Sequence, residues 1–464
     1  MSYNPGKNQF SYNAENPFPP RSIFVIDEAS MIDISLFAAL LEAMPVQNGG
    51  DAQNEKPKIF ILGDKDQLPS VDAGAVLGEL LSLRKNNLVE LSTTRRFNDY
   101  SEVGRLKNAI MWNNEGSLRD YFADLEKNQT AQKPQKSQKP FEKYFTTWEE
   151  WKNAKNVFFA AVNDDEIQQG YPVTIFDLDS PKHKLKLELK LSKKQKKGQI
   201  KKIVTNWSMS FYDKLALPDA NKTAKEEIIS PRKIDFTRSD LTTELDKLWK
   251  EAITARILCA ERKEERGVEQ INTTIRKHIL KKLKDAKIPT EDDDYFAGEL
   301  LLLTKNQGMF NLYNGDSGIV VTFDDNGKES LKYLMVKKEI KSSDSAENSE
   351  NVSNSEAVQN QLENNVIRRK GSYLFYPLYL LPKDAVETAF AITIHKAQGS
   401  GYDAILIFVP EKAGHPLLNR QILYTAITRT SGSTYIVASE ASLDAARKNK
   451  IERITGIKLV VCNS

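Results

Sequence analysis

Two short, wholly apolar runs stand near the start of the chain, Ile23 to Ile26 and Ile59 to Leu62, and each ends in acidic residues. Runs with no polar alternate suit strands of a parallel sheet covered on both faces. Acidic residues at their ends suit a site at the carboxyl edge of an open α/β sheet. Between the runs, Ile32 to Met44 has helical apolar spacing closed by Pro45, and Gln47 to Pro57 reads as a polar surface turn. From Leu88 to Ile110 the pattern predicts strand, turn and helix, with Arg95-Arg96-Phe97 at the turn.

The middle of the chain is less regular. Lys127 to Pro140, rich in Gln, Lys, Pro and Ser, reads as a linker or insertion, whereas Trp148 to Asp179 and the alternating Lys184 to Leu189 look folded. Lys193 to Lys202 is strongly basic and reads as a solvated loop, with a phosphate-backbone contact as the sharper alternative. Ala255 to Ala260 predicts a buried strand and Gly267 to Leu283 a following helix. Glu299 to Thr304 and Gly318 to Phe323 predict strands flanking the turn signal Asn314-Gly315-Asp316, in a small β module. Ser342 to Gln361, dominated by Ser, Asn and Glu, has too little apolar area to order itself and reads as a disordered insertion. From Glu387 the α/β pattern resumes, with Ala404 to Val409 as strand, Pro416 to Thr428 as helix and Thr434 to Ala438 as strand. No internal repeat is visible.

Composition narrows the class without deciding it. The 464 residues allow two to four domains, and a hydrophobic fraction of 40% with 28% charged residues is ordinary for a globular protein. A net charge of +3 demands no nucleic-acid partner, because the basic character is local. Two distant cysteines, Cys259 and Cys462, argue against a disulfide scaffold or zinc module and fit a reducing cytoplasm. The polar N-terminus and the lack of a long apolar run predict neither secretion nor a membrane span.

The strand ends carry the candidate chemistry. Asp27, at the tip of the first run, is placed to hold the water shell of Mg²⁺, and Glu28 beside it to polarise an attacking water. An Asp-Glu after one apolar run is equally a satisfied surface turn. The second run, about one βα unit later, ends in Gly63-Asp64 and Gln67, and a Gln beside a γ-phosphate can sense it. Arg96 and Arg429 are candidate arginine fingers, since a planar guanidinium matches charge spread over phosphoryl oxygens; alone, each is also an ordinary surface or helix-end charge. Ala391 to Gly401 is a polar, glycine-rich stretch that generically reads as a loop, and His395 within it as a structural hydrogen-bonder. No G-x-x-x-x-G-K-[ST] phosphate loop occurs in the sequence.

Together these segments resemble the motifs of superfamily 1 helicases, most closely the RecD family of exodeoxyribonuclease V subunits. Asp27-Glu28-Ala29-Ser30-Met31-Ile32-Asp33 resembles motif II, and Gly63 to Val71 motif III. Arg96-Phe97 resembles motif IV, Thr393 to Ser400 motif V and Tyr424 to Arg429 motif VI. Asn16-Pro17 and Leu312 to Gly318 also look like the family, nothing matches from Trp112 to Leu245, and Gly401-Tyr402 departs from the family's usual acidic residue and Phe. The resemblance implies an α/β fold of two RecA-like P-loop NTPase domains, the first incomplete, with a small SH3-like β insertion in the second. It implies a first domain over 1–90 and the second beginning at 91–297 with a basic insertion at about 127–245. The β module would occupy 298–385, with a disordered insert at about 340–368, and the second domain would finish over 386–464.

The same resemblance implies an ATP-dependent 5′ to 3′ DNA helicase of double-strand-break repair and recombination, cytoplasmic, using ATP and Mg²⁺. Asp27, Glu28, Gln67, Arg96 and Arg429 would be catalytic, and Asp64, Gly399, Arg96 and Arg429 would contact nucleotide. Thr393, His395, Lys396, Gln398 and Ser400 would contact single-stranded DNA, and Asp27 would hold Mg²⁺ through water. Implied partners are RecB- and RecC-like subunits and, if the gene is split, an N-terminal RecD fragment. The family's N-terminal domain, phosphate loop and motif Ia would precede Asn8, which predicts negligible ATP hydrolysis and an unpaired sheet edge for this chain alone. Two other readings stay open: a non-catalytic DNA-binding or scaffolding subunit, and a fragment of a stand-alone RecD-like or relaxase-type helicase.

Overall fold

The computed structural model describes residues 3–4, 9–10, 12–19, 22–44, 58–72, 74–83, 88–91, 102–111, 173–176, 193–217, 234–236, 239–288, 295–323, 331–338, 367–438 and 440–453. Within them the fold is α/β, with two parallel sheets, one six-stranded antiparallel sheet and a two-stranded antiparallel ladder of Tyr3–Asn4 with Gln9–Phe10. Arg96, the linker at Lys127 to Pro140, the alternating segment at Lys184 to Leu189 and the insertion at Ser342 to Gln361 lie outside the described residues.

The first parallel sheet pairs β1 (Ile23–Ile26) with β2 (Lys58–Ile61), Ile26 opposite Ile61. Among the described residues no third strand joins it. One face of it, formed by Ile23, Val25, Phe60 and Leu62, is between 49% and 65% exposed. After β1 the chain makes a single 3-10 turn and enters α1 (Ile34–Glu42), where the Asp33 carboxylate caps the helix by accepting the Leu36 amide at 2.8 Å. α2 (Val76–Leu83) and α3 (Glu102–Met111) follow, and residues 88–91, expected as strand, form none.

The second parallel sheet is built from β3 (Val173–Phe176), β4 (Ala255–Cys259), β11 (Ala391–Thr393), β12 (Tyr402–Phe408) and β13 (Thr430–Val437), in the order β11-β4-β12-β13-β3. Every residue of β4 is buried, as a central parallel strand requires. The sheet is covered by α4 (Lys193–Phe211), the short α5 (Asp213–Ala216), α6 (Leu241–Ile253) and α7 (Val268–Asp285). Lys193 to Lys202 is therefore helix and not loop. Its apolar partners Ile200, Ile203, Val204 and Trp207 recur at helical spacing and sink into the core, a stripe that a reading of the charges alone overlooks.

Between β4 and β11 the chain builds an antiparallel sheet in the order β8-β9-β7-β6-β5-β10. Its strands are β5 (Leu300–Leu303), β6 (Ser317–Thr322), β7 (Lys332–Lys337), β8 (Arg368–Lys370), β9 (Tyr373–Pro377) and β10 (Val386–Thr388). It has a satellite core of its own around Leu301, Leu303, Leu334 and Tyr376. Buried Glu299 fastens it to α7: one carboxylate oxygen lies 2.8 Å from Arg276 and accepts the Thr388 hydroxyl at 2.6 Å. The chain closes with α8 (Arg420–Ile427) and α9 (Glu440–Lys448).

Candidate functional site

The site forms where the carboxyl ends of β1, β2 and β11 meet the side of α8. At the end of β1, Asp27 is exposed and its carboxylate accepts the Glu28 amide at 2.9 Å. Glu28 has φ of 51°, a left-handed conformation that a non-glycine residue adopts only at a cost of order 1 kcal/mol or more. The turn it makes brings the Ala29 amide onto the carbonyl of Leu62 at 2.9 Å. Gly63 sits in that crossing, and a Cβ there would stand 3.0 Å from the Ala29 nitrogen. The first strand end is thus shaped to receive the second.

Beyond Gly63, Asp64 organises the loop: it accepts the Asp66 amide at 3.0 Å, the Gln67 side-chain amide at 3.4 Å and the Tyr424 hydroxyl at 2.7 Å. Tyr424 lies on α8, so this last bond ties the first sheet to the second. Burial, then the Asp64 charge, raise the Tyr424 phenol, which keeps it a donor. Burial likewise raises the Asp66 carboxyl, against the opposing pull of Lys65. Two further bonds reinforce the joint. The Leu68 amide donates to the buried Thr425 hydroxyl at 2.8 Å, and the Gln398 side-chain amide donates to the Leu68 carbonyl at 2.9 Å. Arg453, past the last helix, reaches back to the carbonyls of Ser70 and Asp72.

The β11 segment contributes Thr393 to Ser400. Gly399, at φ of 77°, faces the first sheet: a Cβ built on it would stand 3.9 Å from a Glu28 carboxylate oxygen. Thr393 accepts the Lys396 amide at 3.3 Å. Lys396 does not extend into the cleft; its ammonium donates to Glu387 at 2.6 Å, and Glu387 also receives Arg262 at 2.7 Å. Burial works against the charge on Glu387, but the hydrogen bonds from Lys396 and Arg262 outweigh it and hold its carboxyl below the usual range. His395 is half-buried, and burial, then Arg453, lower its pKa, so it is neutral near pH 7. Ser400 offers its carbonyl to Arg429 at 3.5 Å.

Arg429 is placed differently from a finger extended into the cleft. Its guanidinium is buried, with Nε donating to the Thr425 carbonyl at 3.0 Å and one terminal nitrogen to the Thr428 hydroxyl at 3.1 Å. The site thus brings together Asp27, Glu28, Asp64, Gln67, Gln398 and Gly399, keeps Arg429 folded onto its own helix, and ties Lys396 to an acid. Sequence reasoning placed Tyr424 and Thr425 within the motif VI segment but gave neither a role at the joint, and it missed Arg453, which nothing in the sequence marked.

The donor set fits the hydrolytic side of a nucleotide site. Among the described residues, the Gln67 carbonyl oxygen and the Ser30 hydroxyl are buried and lack a hydrogen-bond partner, near the exposed Asp27 and the Glu28 that faces Gly399. Such orphaned polar atoms are expected where a polar ligand completes the bonding. Asp27 would hold hydrated Mg²⁺ through its water shell; the backbone cradle for the phosphates is not among these residues.

Known proteins share this arrangement of segments. A UvrD-like helicase C-terminal domain matches residues 388–437, from β10 to β13, and an AAA domain matches residues 8–129, which contain the first sheet. RecBCD enzyme subunit RecD of Mycolicibacterium smegmatis is 24% identical over 97% of this chain and 56% of its own length. The chain is similar to RecD subunits over nearly all of its length. RecBCD enzyme subunit RecD of Haemophilus influenzae is 23% identical over 97% of this chain and 57% of its own length. The chain therefore spans about half the length of these relatives. Among solved structures, the Pif1 helicase from Bacteroides in complex with ADP-AlF3 and ssDNA aligns with 95% of this chain and 75% of its own, at 14% identity and a TM-score of 0.32. Among the described residues, no helix is long and apolar enough to cross a membrane, and no cluster of His, Cys, Asp and Glu is arranged to hold a metal on its own.

Proposed function

We propose that this chain is the part of a RecD-like, ATP-dependent DNA helicase that carries motifs II to VI. In this reading it works in a RecBCD-type assembly with RecB- and RecC-like subunits, in the cytoplasm, moving 5′ to 3′ on single-stranded DNA during break repair. The observation that carries it is the polar joint of Leu68 with Thr425 and Gln398, and of Asp64 with Tyr424. Through that joint a shift of the loop bearing Gln67 is passed to α8, the helix that leads into Arg429. A chemical change beside Gln67 is thereby turned into relative movement of two sheets, which a translocating motor requires.

The residues divide the work by position. Asp27 orders the water shell of the metal, Glu28 orients and deprotonates the attacking water, and Gln67 reads the occupant of the cleft through its orphaned carbonyl. Arg96 and Arg429 supply positive charge, Arg429 after leaving its bonds to Thr425 and Thr428. Thr393, His395, Gln398 and Ser400, with Lys396 once freed from Glu387, face the DNA strand. ATP supplies the free energy when bound.

The sequence contains no phosphate loop, so activity requires polypeptide that supplies one, paired beside β1 and β2. The test is single-strand-stimulated ATP hydrolysis by the chain alone and mixed with the other half of a RecD relative. We expect negligible turnover alone, turnover in the mixture, and its loss on Glu28→Gln. Turnover by the chain alone near that of intact helicases, or a mixture indifferent to Glu28→Gln, overturns the proposal. A non-catalytic DNA-binding subunit is the second reading, favoured by the inward fold of Arg429; it predicts an inactive mixture that still binds DNA.

A further inference from the structure

We infer that the second domain carries a docking surface for the phosphate backbone of duplex DNA, separate from the cleft, formed by lysines of α4 and α7 along the seam between these helices. The inference rests on reading the chain as a DNA-acting protein and adds a ligand class that the motifs do not specify.

The seam is fixed by Asp213, a nearly buried carboxylate at the start of α5. It accepts Ser208 of α4 at 2.7 Å, and it meets His278 of α7 at 3.0 Å and Lys282 of α7 at 2.7 Å. Ser208 and Asp213 therefore mark the flank of α4 that faces α7, and His278 and Lys282 mark the flank of α7 that faces α4. Lys201 lies seven residues before Ser208, two turns along the same flank. Lys281 lies three residues after His278, one turn along the other.

Around this pair the lysines continue on both helices, Lys197 and Lys202 on α4 and Lys277 and Lys284 on α7. All six are exposed, and among the described residues none of the six makes an ion pair. α4 contains no acidic residue at all, and α7 has none between Glu269 and Asp285. The one carboxylate at the seam is buried beneath it and already neutralised by Lys282. A surface of this kind repels itself unless it is meant for an anion.

The spacing suits a duplex. Along α4 from Lys197 to Ser208 the strip runs about 16 Å at 1.5 Å per residue, with the α7 lysines beside it. Over that length duplex DNA presents on the order of ten phosphates. The strip consists of lysine without an interleaved exposed aromatic ring, so it offers point charges to a backbone and no stacking platform to single-strand bases. An acidic protein face would meet the same charges, and the experiment separates it.

The full chain is titrated against a labelled duplex of about 25 base pairs by fluorescence anisotropy, over a range of salt, beside a K201Q/K281Q variant and a K201R/K281R variant. All four substitutions are on exposed side chains, and circular dichroism checks that the fold is kept. The wild type is expected to bind with a steep salt dependence. The glutamine variant should lose roughly tenfold or more at about 0.1 M salt, with a log–log slope smaller by about 2, and the arginine variant should retain both. Equal affinity and slope in all three proteins, or no salt-dependent duplex binding by the wild type, overturns the inference. So does a glutamine variant weakened only toward polyglutamate, which would assign the strip to an acidic protein. An inactive ATPase mixture would sink the function proposed above and leave these titrations as they stand.

Discussion

The two parallel sheets are made of nearly the same kind of sequence and end in opposite conditions. Ile23-Phe24-Val25-Ile26 is a short apolar run and Ala255-Arg256-Ile257-Leu258-Cys259 is apolar but for Arg256, yet the residues of the first alternate between exposed and half-buried while those of the second are all buried. The difference lies in neighbours. β4 has β11 on one side, β12 on the other and helices above and below, whereas β1 has only β2 among the described residues. A parallel strand has no intrinsic inside; its burial is conferred by what pairs and packs with it.

The largest expected effect contrasts the two directly. Ile257→Ala, in the buried strand, should cost about 2–5 kcal/mol in urea unfolding, because it leaves a cavity in a closed core. Ile23→Ala, on the open face, should cost about 0.5 kcal/mol or less. Equal costs would break the comparison by showing that the first face is covered. Addition of the complementary RecD half should raise the cost of Ile23→Ala toward that of Ile257→Ala, which would sharpen it.

A middle-sized effect is expected at the joint between the sheets. Thr425→Val preserves shape but removes the acceptor of the buried Leu68 amide, and an unpaired buried donor costs about 1–3 kcal/mol. Hydrogen exchange should then quicken at Leu68 and its neighbours while β4 and β12 stay protected. Unchanged exchange at Leu68 would mean that the first sheet does not depend on the second for its order.

The smallest effect is a pH dependence confined to the second sheet's flank. Burial alone would raise the Asp213 carboxyl, but hydrogen bonds from His278, Lys282 and Ser208 outweigh it and hold it below the ordinary aspartate value. A lowered folded-state pKa stabilises the fold above that ordinary value, and the stabilisation is lost as pH falls through the folded one. Wild type and Asp213→Asn should therefore differ most near neutrality and converge in acid. Parallel stability curves down to the lowest pH would refute this role for Asp213.

Much of the site was readable in advance because local chemistry marks it. Asp27-Glu28 and Gly63-Asp64 follow apolar runs, and a strand end with an acid needs no tertiary context to be noticed. The loop from Thr393 to Gly401 was visible as a polar interruption between strands. Side-chain direction was not readable in the same way. Lys396 and Glu387 are nine residues apart, and nothing in that spacing says that the ammonium turns back to the acid and not outward to a strand of DNA. Arg429 reads as a reaching cation, yet α8 offers its own carbonyl closer than the cleft. The basic run at Lys193 to Lys202 hid a helix because its charges are dense enough to mask the stripe of Ile200, Ile203, Val204 and Trp207.

What the sequence determined by itself is the set of local preferences: apolar β-branched runs that can only be strands, glycines at Gly63 and Gly399 where backbones crowd or turn left-handed, and carboxylates held at strand tips. Those depend on the residue and its immediate neighbours. Which strand is buried, which lysine is paired and which loop touches which helix were decided only in three dimensions. The joint follows from partners hundreds of residues apart, as Leu68 finds Thr425, and even the nine residues from Glu387 to Lys396 leave no periodic trace of their pairing in the chain.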